Sequence, residues 1–296
     1  MTTIASQKPR MLVFAGPNGS GKSTMTSKLM RHRSFPTTYI NADDIARTEL
    51  AHIPDELQRN MEAAKLAQQR RQAALAGGQS FAFETVMSTP GKLAILQEAK
   101  ARGFQLELVF VTTFDAAINV HRVANRAALG GHNVEPVKVR ERYERGMSLL
   151  PSALFLADGA DIFDNSSSKT LCVAKKRGQK LTLLNIDKAP AWVFERLAKP
   201  CRERAASRGH MHAACQQHAA DAGVATAVVH EACISCGQQH QGVVIEADTY
   251  HIAQQVEAGV YLIHERALCP HTDAEKGENA LFAYRYEKGG KHSAAV

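Results

Sequence analysis

What this 296-residue chain lacks narrows the field before any motif is read. No apolar run approaches the roughly 20 residues of a membrane-spanning helix. The opening MTTIASQKPR has no apolar h-region of a secretory signal. The expectation is therefore a cytoplasmic protein without membrane contact. Cysteine is sparse at six residues, which in an unsecreted chain points to reduced thiols, not a disulfide framework. Tryptophan occurs once. No internal repeat of solenoid period is present. With 45% hydrophobic and 22% charged residues, the composition is that of a globular protein of one large or two modest domains.

Charge is unevenly spread. Residues 200–296 hold 8 Lys+Arg against 11 Asp+Glu, a net of −3, which leaves +10 for residues 1–199. The C-terminal part also carries 9 of the 13 histidines. This shift places a domain boundary near Leu197–Glu203. Surplus positive charge on the N-terminal part suits an anionic nucleotide and an anionic second substrate as well as it suits nucleic acid.

The strongest signal lies at FAGPNGSGKST, Phe14 to Thr24. Gly16, Pro17, Asn18, Gly19, Ser20, Gly21, Lys22, Ser23 and Thr24 fit G-x-x-x-x-G-K-[ST], a phosphate-binding loop of the Walker A kind. Glycines let successive backbone N–H groups converge on a phosphate. Lys22 brings a mobile charge to the terminal phosphates of ATP, and the Ser23 hydroxyl is the expected Mg²⁺ ligand. MLVFAG before the loop reads as a buried strand and GKSTMTSKLMRH after it as a helix, which is the context the motif requires.

Strands and helices then alternate, as in an α/β fold with a parallel sheet of the P-loop nucleotide-binding kind. TTYINADDIA is a short strand ending in acids. A long helix follows over about Asp55–Ala76, stopped at Gly77-Gly78. SFAFETV and FQLELVFVTT are strands, with a helix from Pro90 to Gly103 between them, and Asp115 caps the next helix. TLCVAKKRGQKLTLLN is a hairpin around Arg177-Gly178, and AWVFERLA a closing helix with Trp192 as its buried anchor. Cys201–Gly223 is helical or loosely ordered. From Gly242 on, short segments (GVVIEAD, YHIAQQVE, GVYLIHE and ENALFAYRYE) read as a small antiparallel barrel or sandwich. The expected organisation is a P-loop domain over 1–199, a His/Cys-rich linker over 200–239 and a small β domain over 240–296.

Three further features bear on chemistry. INADDIA delivers Asn41, Asp43 and Asp44 past a strand end, where ligands bind in open α/β sheets. A kinase needs a carboxylate there to take the acceptor's proton. Helix capping by Asp43 accounts for the same residues equally well. Glu84 and Thr85 follow another strand and can meet hydroxyls of an acceptor, or simply end the strand. Arg122 and Arg126 lie four apart on one helix, and Arg140, Arg142 and Arg145 follow Gly130-Gly131 on the next, the arrangement either of a closing lid with guanidinium groups or of a solvated charged face.

In that order, AGPNGSGKST, INADDIA, FAFETVMS and VHRVANRAALGGHNVEPVKVRERYERGMSLL resemble the zeta toxin family of P-loop kinases over residues 9–199. The resemblance implies ATP-dependent phosphorylation of UDP-N-acetylglucosamine, toxicity through blocked cell-wall synthesis, and restraint by an antitoxin protein. By motif position it makes Lys22 the holder of the γ-phosphate, Ser23 the Mg²⁺ ligand and Asp43 the base. Glu84 and Thr85 become sugar contacts, and Arg126 and Arg142 the lid arginines. No antitoxin-like segment is seen in the chain.

Residues 240–292 resemble the KfrB-like β domain appended to plasmid and mobile-element proteins, which implies residence on such an element and no defined chemistry. The negative charge there argues for protein contact over binding of a phosphate backbone. Cys233-x-x-Cys236 with His230 and His240 supplies four zinc-type ligands, but the flanking spacings are cramped and a second CxxC is missing. Two other functions stay open: a kinase for another hydroxyl acceptor, and an ATP-binding plasmid-maintenance switch acting through nucleic acid or protein.

Overall fold

A computed structural model describes residues 8–131, 133–235, 237–269 and 274–284. Two compact units emerge. The first comprises the described residues up to Met87, with Glu98–Met147 and Ala153–Ala189; the second comprises Ser88–Gln97, Ser148–Ser152 and the chain from Pro190.

The first unit is built on a seven-stranded sheet. Strand β1 (Arg10–Ala15) leads through the loop into α1 (Lys22–Leu29), then β2 (Thr38–Ile40), α2 (Ala42–Thr48), α3 (Glu56–Ala76) and β3 (Phe81–Thr85). Next come α4 (Gly91–Ala101), β4 (Gln105–Thr112), α5 (Ala116–Ala128), α6 (Pro136–Leu156) and β5 (Gly159–Asp164). The hairpin β6 (Leu171–Arg177) and β7 (Lys180–Leu183) closes the order β2-β3-β1-β4-β5-β6-β7. β1 to β5 pair in parallel, and the hairpin adds two antiparallel strands at one edge.

Local chemistry sets the element ends. Asp55 caps α3 by accepting from the Gln58 N–H, and Asp115 caps α5 by accepting from the Ala117 N–H. Pro136 opens α6, where its missing N–H costs nothing; Pro151 sits inside the same helix, which nonetheless continues to Leu156. β1 is buried on both faces, with Met11, Val13, Phe14 and Ala15 fully enclosed, as central parallel strands require. Phe14, Ala82 and Val111 form one core cluster against Met25, Leu29, Phe35 and Tyr39. β1 therefore ends at a fixed height, and the loop that follows starts from a rigid base.

The second unit corrects the expected barrel or sandwich. Its strands β8 (Val228–Glu231), β9 (Gln239–Ala247), β10 (His251–Glu257), β11 (Val260–Glu265) and β12 (Asn279–Ala283) form a single sheet in the order β12-β9-β10-β11-β8. All neighbours are antiparallel except β8, which runs parallel to β11. The stretch read as a linker supplies a 23-residue helix, α7 (Lys199–Asp221), entered through a π-helical turn at Val193–Ala198. Met211, Cys215 and Ala219, each four residues apart on α7, pack on Ile245, Ala253, Tyr261 and Ile263. A helix thus covers the face that a second sheet would cover in a sandwich. Trp192, 4% exposed, is the buried anchor at the head of this segment.

Cys236 lies outside the described residues. Cys233 donates to Ser235 Oγ at 3.5 Å, and His240 Nε2 lies 3.1 Å from the Cys233 carbonyl. Among the described residues, no group of three or more His, Cys, Asp or Glu is placed to hold a metal ion, and no helix is long and apolar enough to cross a membrane.

Candidate functional site: a phosphate loop with a facing carboxylate

The loop from Gly16 to Gly21 curls because three glycines take backbone angles that side chains disfavour: Gly16 at φ 143°, Gly19 at 74° and Gly21 at 93°. A Cβ on Gly16 would strike the Val111 carbonyl, and one on Gly21 the Asn165 side chain. The loop is pinned from two sides. Asn119, fully buried on α5, donates to the Asn18 carbonyl at 2.6 Å, and Asn165 donates to the Ser20 carbonyl at 2.8 Å. Neither asparagine carries a motif. Asn119 betrays itself only as a polar residue on the inward face of an amphipathic helix.

Helix α1 begins at Lys22 with Gly21 as cap residue and no side-chain cap. Its first N–H groups therefore remain for an anion, which the helix dipole favours. Ser20 Oγ is fully buried and has no hydrogen-bond partner among the described residues. An uncapped helix start, a curled glycine loop and a stranded hydroxyl fit a nucleotide's phosphates.

Lys22 Nζ donates to the Pro17 carbonyl at 2.8 Å. The residue as a whole is half-buried, but its ammonium is packed densely enough that burial pushes its pKa down to about 8. Glu84 and Asp43 pull it up and Arg126 pushes it further down, so the four charged groups lie within electrostatic reach of one another. Ser23 Oγ donates to Glu84 Oε2 at 2.9 Å, and Tyr39 donates to Glu84 Oε1 at 2.7 Å.

Asp43 stands in the first turn of α2, not at its cap. Asn41 is the cap, its side-chain oxygen accepting from the Asp43 N–H at 2.9 Å. Asp44 pairs with Arg47 at 2.7 Å, whereas the exposed Asp43 carboxylate makes no hydrogen bond among the described residues. Capping therefore does not account for Asp43.

The arginines divide. Arg142 reaches from α6 to Asn18 Oδ1 at 3.4 Å and is half-buried, its pKa lowered by burial and by Arg145. Arg126 acts on Lys22, as above. Arg122 instead donates to the Asn165 carbonyl at 2.8 Å, holding a loop of the sheet edge, and Arg145 lies 3.7 Å from Glu141. Thr85 departs from the acceptor role expected of it beside Glu84. It is 9% exposed and its hydroxyl accepts from the Met87 N–H at 3.1 Å, closing a turn in which Met87 takes φ 50°. Alternation along β3 sends Thr85 to the face opposite Glu84. Pro17 and Thr24 stay within the loop and the first turn of α1 as the motif places them.

Among solved structures, the chain is similar to AvrRxo1-ORF1:AvrRxo1-ORF2 with sulphate ions, at 16% identity and TM-score 0.50, covering 64% of this chain and 63% of that one. It is also similar to the same pair with ATP, at 15% identity and TM-score 0.49 over 61% and 62%, and to the PezAT toxin-antitoxin system of Streptococcus pneumoniae, at 14% identity and TM-score 0.42 over 56% and 72%. The chain thus spans just under two thirds of the AvrRxo1 chains it matches, and identities this low speak to shared fold alone. No curated protein matches. Residues 239–292 match the sequence model of the KfrB domain. Residues 1–175 match that of the zeta toxin, more than half of the 296 residues, and the chain belongs to the zeta toxin family.

Proposed function

We propose that this protein is a Mg²⁺- and ATP-dependent kinase that transfers the γ-phosphoryl group to a hydroxyl of a small acceptor, with UDP-N-acetylglucosamine the first candidate, and that it acts in the cytoplasm as a toxin. The observation that carries the reading is the exposed Asp43 carboxylate, which has no hydrogen bond among the described residues and whose charge acts on Lys22 of the phosphate loop. Lys22 and the loop N–H groups bind the terminal phosphates. Asp43 takes the proton of the acceptor hydroxyl as its oxygen bonds to phosphorus and the bond to ADP breaks. Arg126 and Arg142 neutralise charge on the transferring oxygens.

Ser23 Oγ and Glu84 Oε2, 2.9 Å apart, are the pair best placed to hold Mg²⁺. The ion would supply charge neutralisation between the outer phosphates. Glu84 is thereby assigned to the metal side of the site, and the sugar contact suggested by motif position falls to neighbouring groups. A protein antitoxin is the proposed partner of the P-loop part. The acidic C-terminal part is proposed to contact protein on a plasmid or related element.

The test is incubation with Mg-ATP and UDP-N-acetylglucosamine, beside Asp43→Asn, with mass spectrometry of the sugar. Added phosphate with wild type, reduced at least about a hundredfold in the variant, is expected for loss of a general base. ATP bound with no transfer to this or other hydroxyl compounds overturns the kinase reading in favour of a nucleotide switch.

A further inference from the structure

A directional chain of hydrogen bonds joins the two halves of the site. Its polarity is set at one end by a backbone group that can only donate. The Asp43 N–H gives its proton to Asn41 Oδ1 at 2.9 Å. That fixes the Asn41 amide, so its Nδ2 is the donor to the Tyr39 hydroxyl oxygen at 2.8 Å. The single Tyr39 proton is then directed to Glu84 Oε1 at 2.7 Å. Glu84 receives a second proton donor at Oε2, Ser23 Oγ at 2.9 Å. Both carboxylate oxygens accept, which fixes the rotation of the Glu84 carboxylate.

The fold explains why these residues meet. Tyr39 pairs with Ala82 in the parallel β2–β3 register, and Ala82 and Glu84 share a face of β3. The Tyr39 ring lies edge-on to Phe35 at 6.1 Å within the core cluster, so only its hydroxyl is left to reach the strand end. Burial and the Glu84 carboxylate push the Tyr39 hydroxyl well above the usual phenol range, so it remains a donor at any working pH.

We infer that Tyr39 is a positioning residue that holds the Glu84 carboxylate against Ser23 for the metal ion, and that Asn41 ties this arrangement to the helix start that carries Asp43. The inference rests on the assignment of Glu84 to the metal side. Partners that orient a metal ligand are worth roughly 10- to 100-fold in metal affinity.

The experiment measures Mn²⁺ binding by electron paramagnetic resonance on the full chain with a non-hydrolysable ATP analogue. Wild type, Tyr39→Phe, Glu84→Gln and the double variant are compared, and analogue affinity is measured without metal as a control for fold. Tyr39→Phe should weaken Mn²⁺ about tenfold while metal-free analogue affinity stays within about twofold. In the Glu84→Gln background the same change should have no further effect. If Glu84→Gln weakens Mn²⁺ and Tyr39→Phe does not, the inference falls and the Glu84 assignment stands. If Glu84→Gln leaves Mn²⁺ unchanged, the assignment itself falls. If Tyr39→Phe weakens the analogue equally with and without metal, its role is structural and the inference is overturned.

Discussion

Lys22 combines two demands that conflict. Phosphate binding needs its ammonium charged, while burial favours the neutral amine and brings its pKa to about 8. A nucleotide phosphate favours the charged form, so binding takes up a proton once the pH passes that value. The sign follows directly: affinity for ATP is steady near pH 7 and falls as pH rises above 8, by up to tenfold per unit. Titration calorimetry from pH 7 to 9.5 should show the logarithm of Kd rising with a slope approaching one above pH 8. Lys22→Met should bind at least about tenfold more weakly at pH 7 and show a flat profile in that window. A wild-type profile that is equally flat, with Lys22→Met still binding more weakly, would mean that the ammonium meets the phosphate but is not lowered into this window by burial. Asp43 and Asp44 make the complementary point about neighbouring residues. Asp44 is paired with Arg47 on its own helix, Asp43 has no such ion pair among the described residues, and that difference is what separates a surface acid from a candidate base.

Elements, not single side chains, hold the loop in shape. Asn119 on α5 is fully buried, accepts from Thr113 Oγ1 and donates to the Asn18 carbonyl. Asn119→Ala leaves the Thr113 hydroxyl and the Asn18 carbonyl without that partner, at a cost of about 1–3 kcal/mol. Thermal unfolding of the variant should register that loss, and ATP should bind more weakly because the loop is no longer pinned. Unchanged ATP affinity in a destabilised variant would show that the loop keeps its shape through its glycines alone. The parts of this architecture that were legible in the sequence are those with short-range causes. The strand before the loop, the caps Asp55 and Asp115, the breaks at Gly77-Gly78 and Gly103, and the hairpin at Gly178 all depend on residues within a few positions. Tyr39 and Glu84 are 45 residues apart and meet only through the β2–β3 register, so no local pattern could announce their pairing. β5, with the sequence GADIFD, carries Asp161 and Asp164 on opposite faces of a paired strand and gives no apolar run to read. α7 hid its role because its packed face uses Met211, Cys215 and Ala219, small or soft residues that look unremarkable in an alanine-rich stretch. Cys201–Gly223 reads as helical or loosely ordered in a linker, whereas α7 supplies three of the eight buried residues of the cluster on this sheet.

At the scale of the molecule, charge and histidine are segregated, and two histidines of the second unit, His251 and His264, are buried in its interior. His251 is fully buried between Ser207, whose Oγ lies 2.7 Å from its Nδ1, and the charges of Asp248, Arg204 and Arg208; its pKa is pushed down to about 3, first by burial and then by Arg208. His264 is fully buried with Tyr284 at 2.8 Å from Nδ1 and Gln254 at 3.0 Å from Nε2, its pKa likewise pushed to about 3 by burial and by His240. Both rings are therefore neutral in the fold and take up protons near pH 6.5 once unfolded. The fold keeps the full benefit above pH 6.5 and loses it as pH falls from 6.5 towards 3, by about 1.4 kcal/mol per unit for each ring. The single tryptophan, Trp192, is buried within this same unit and reports on it without labelling. Urea unfolding followed by Trp192 fluorescence should show stability falling between pH 6.5 and 4.5 by about 5 kcal/mol from the two rings together, beyond what carboxylates contribute. His264→Gln keeps a polar group beside Tyr284 and Gln254 but cannot titrate. It should flatten the dependence by one proton, whatever it does to stability at pH 7. If the slope of His264→Gln matches that of wild type, His264 is not neutral in the fold, and its hydrogen bonds to Tyr284 and Gln254 must then be read with an extra proton on the ring.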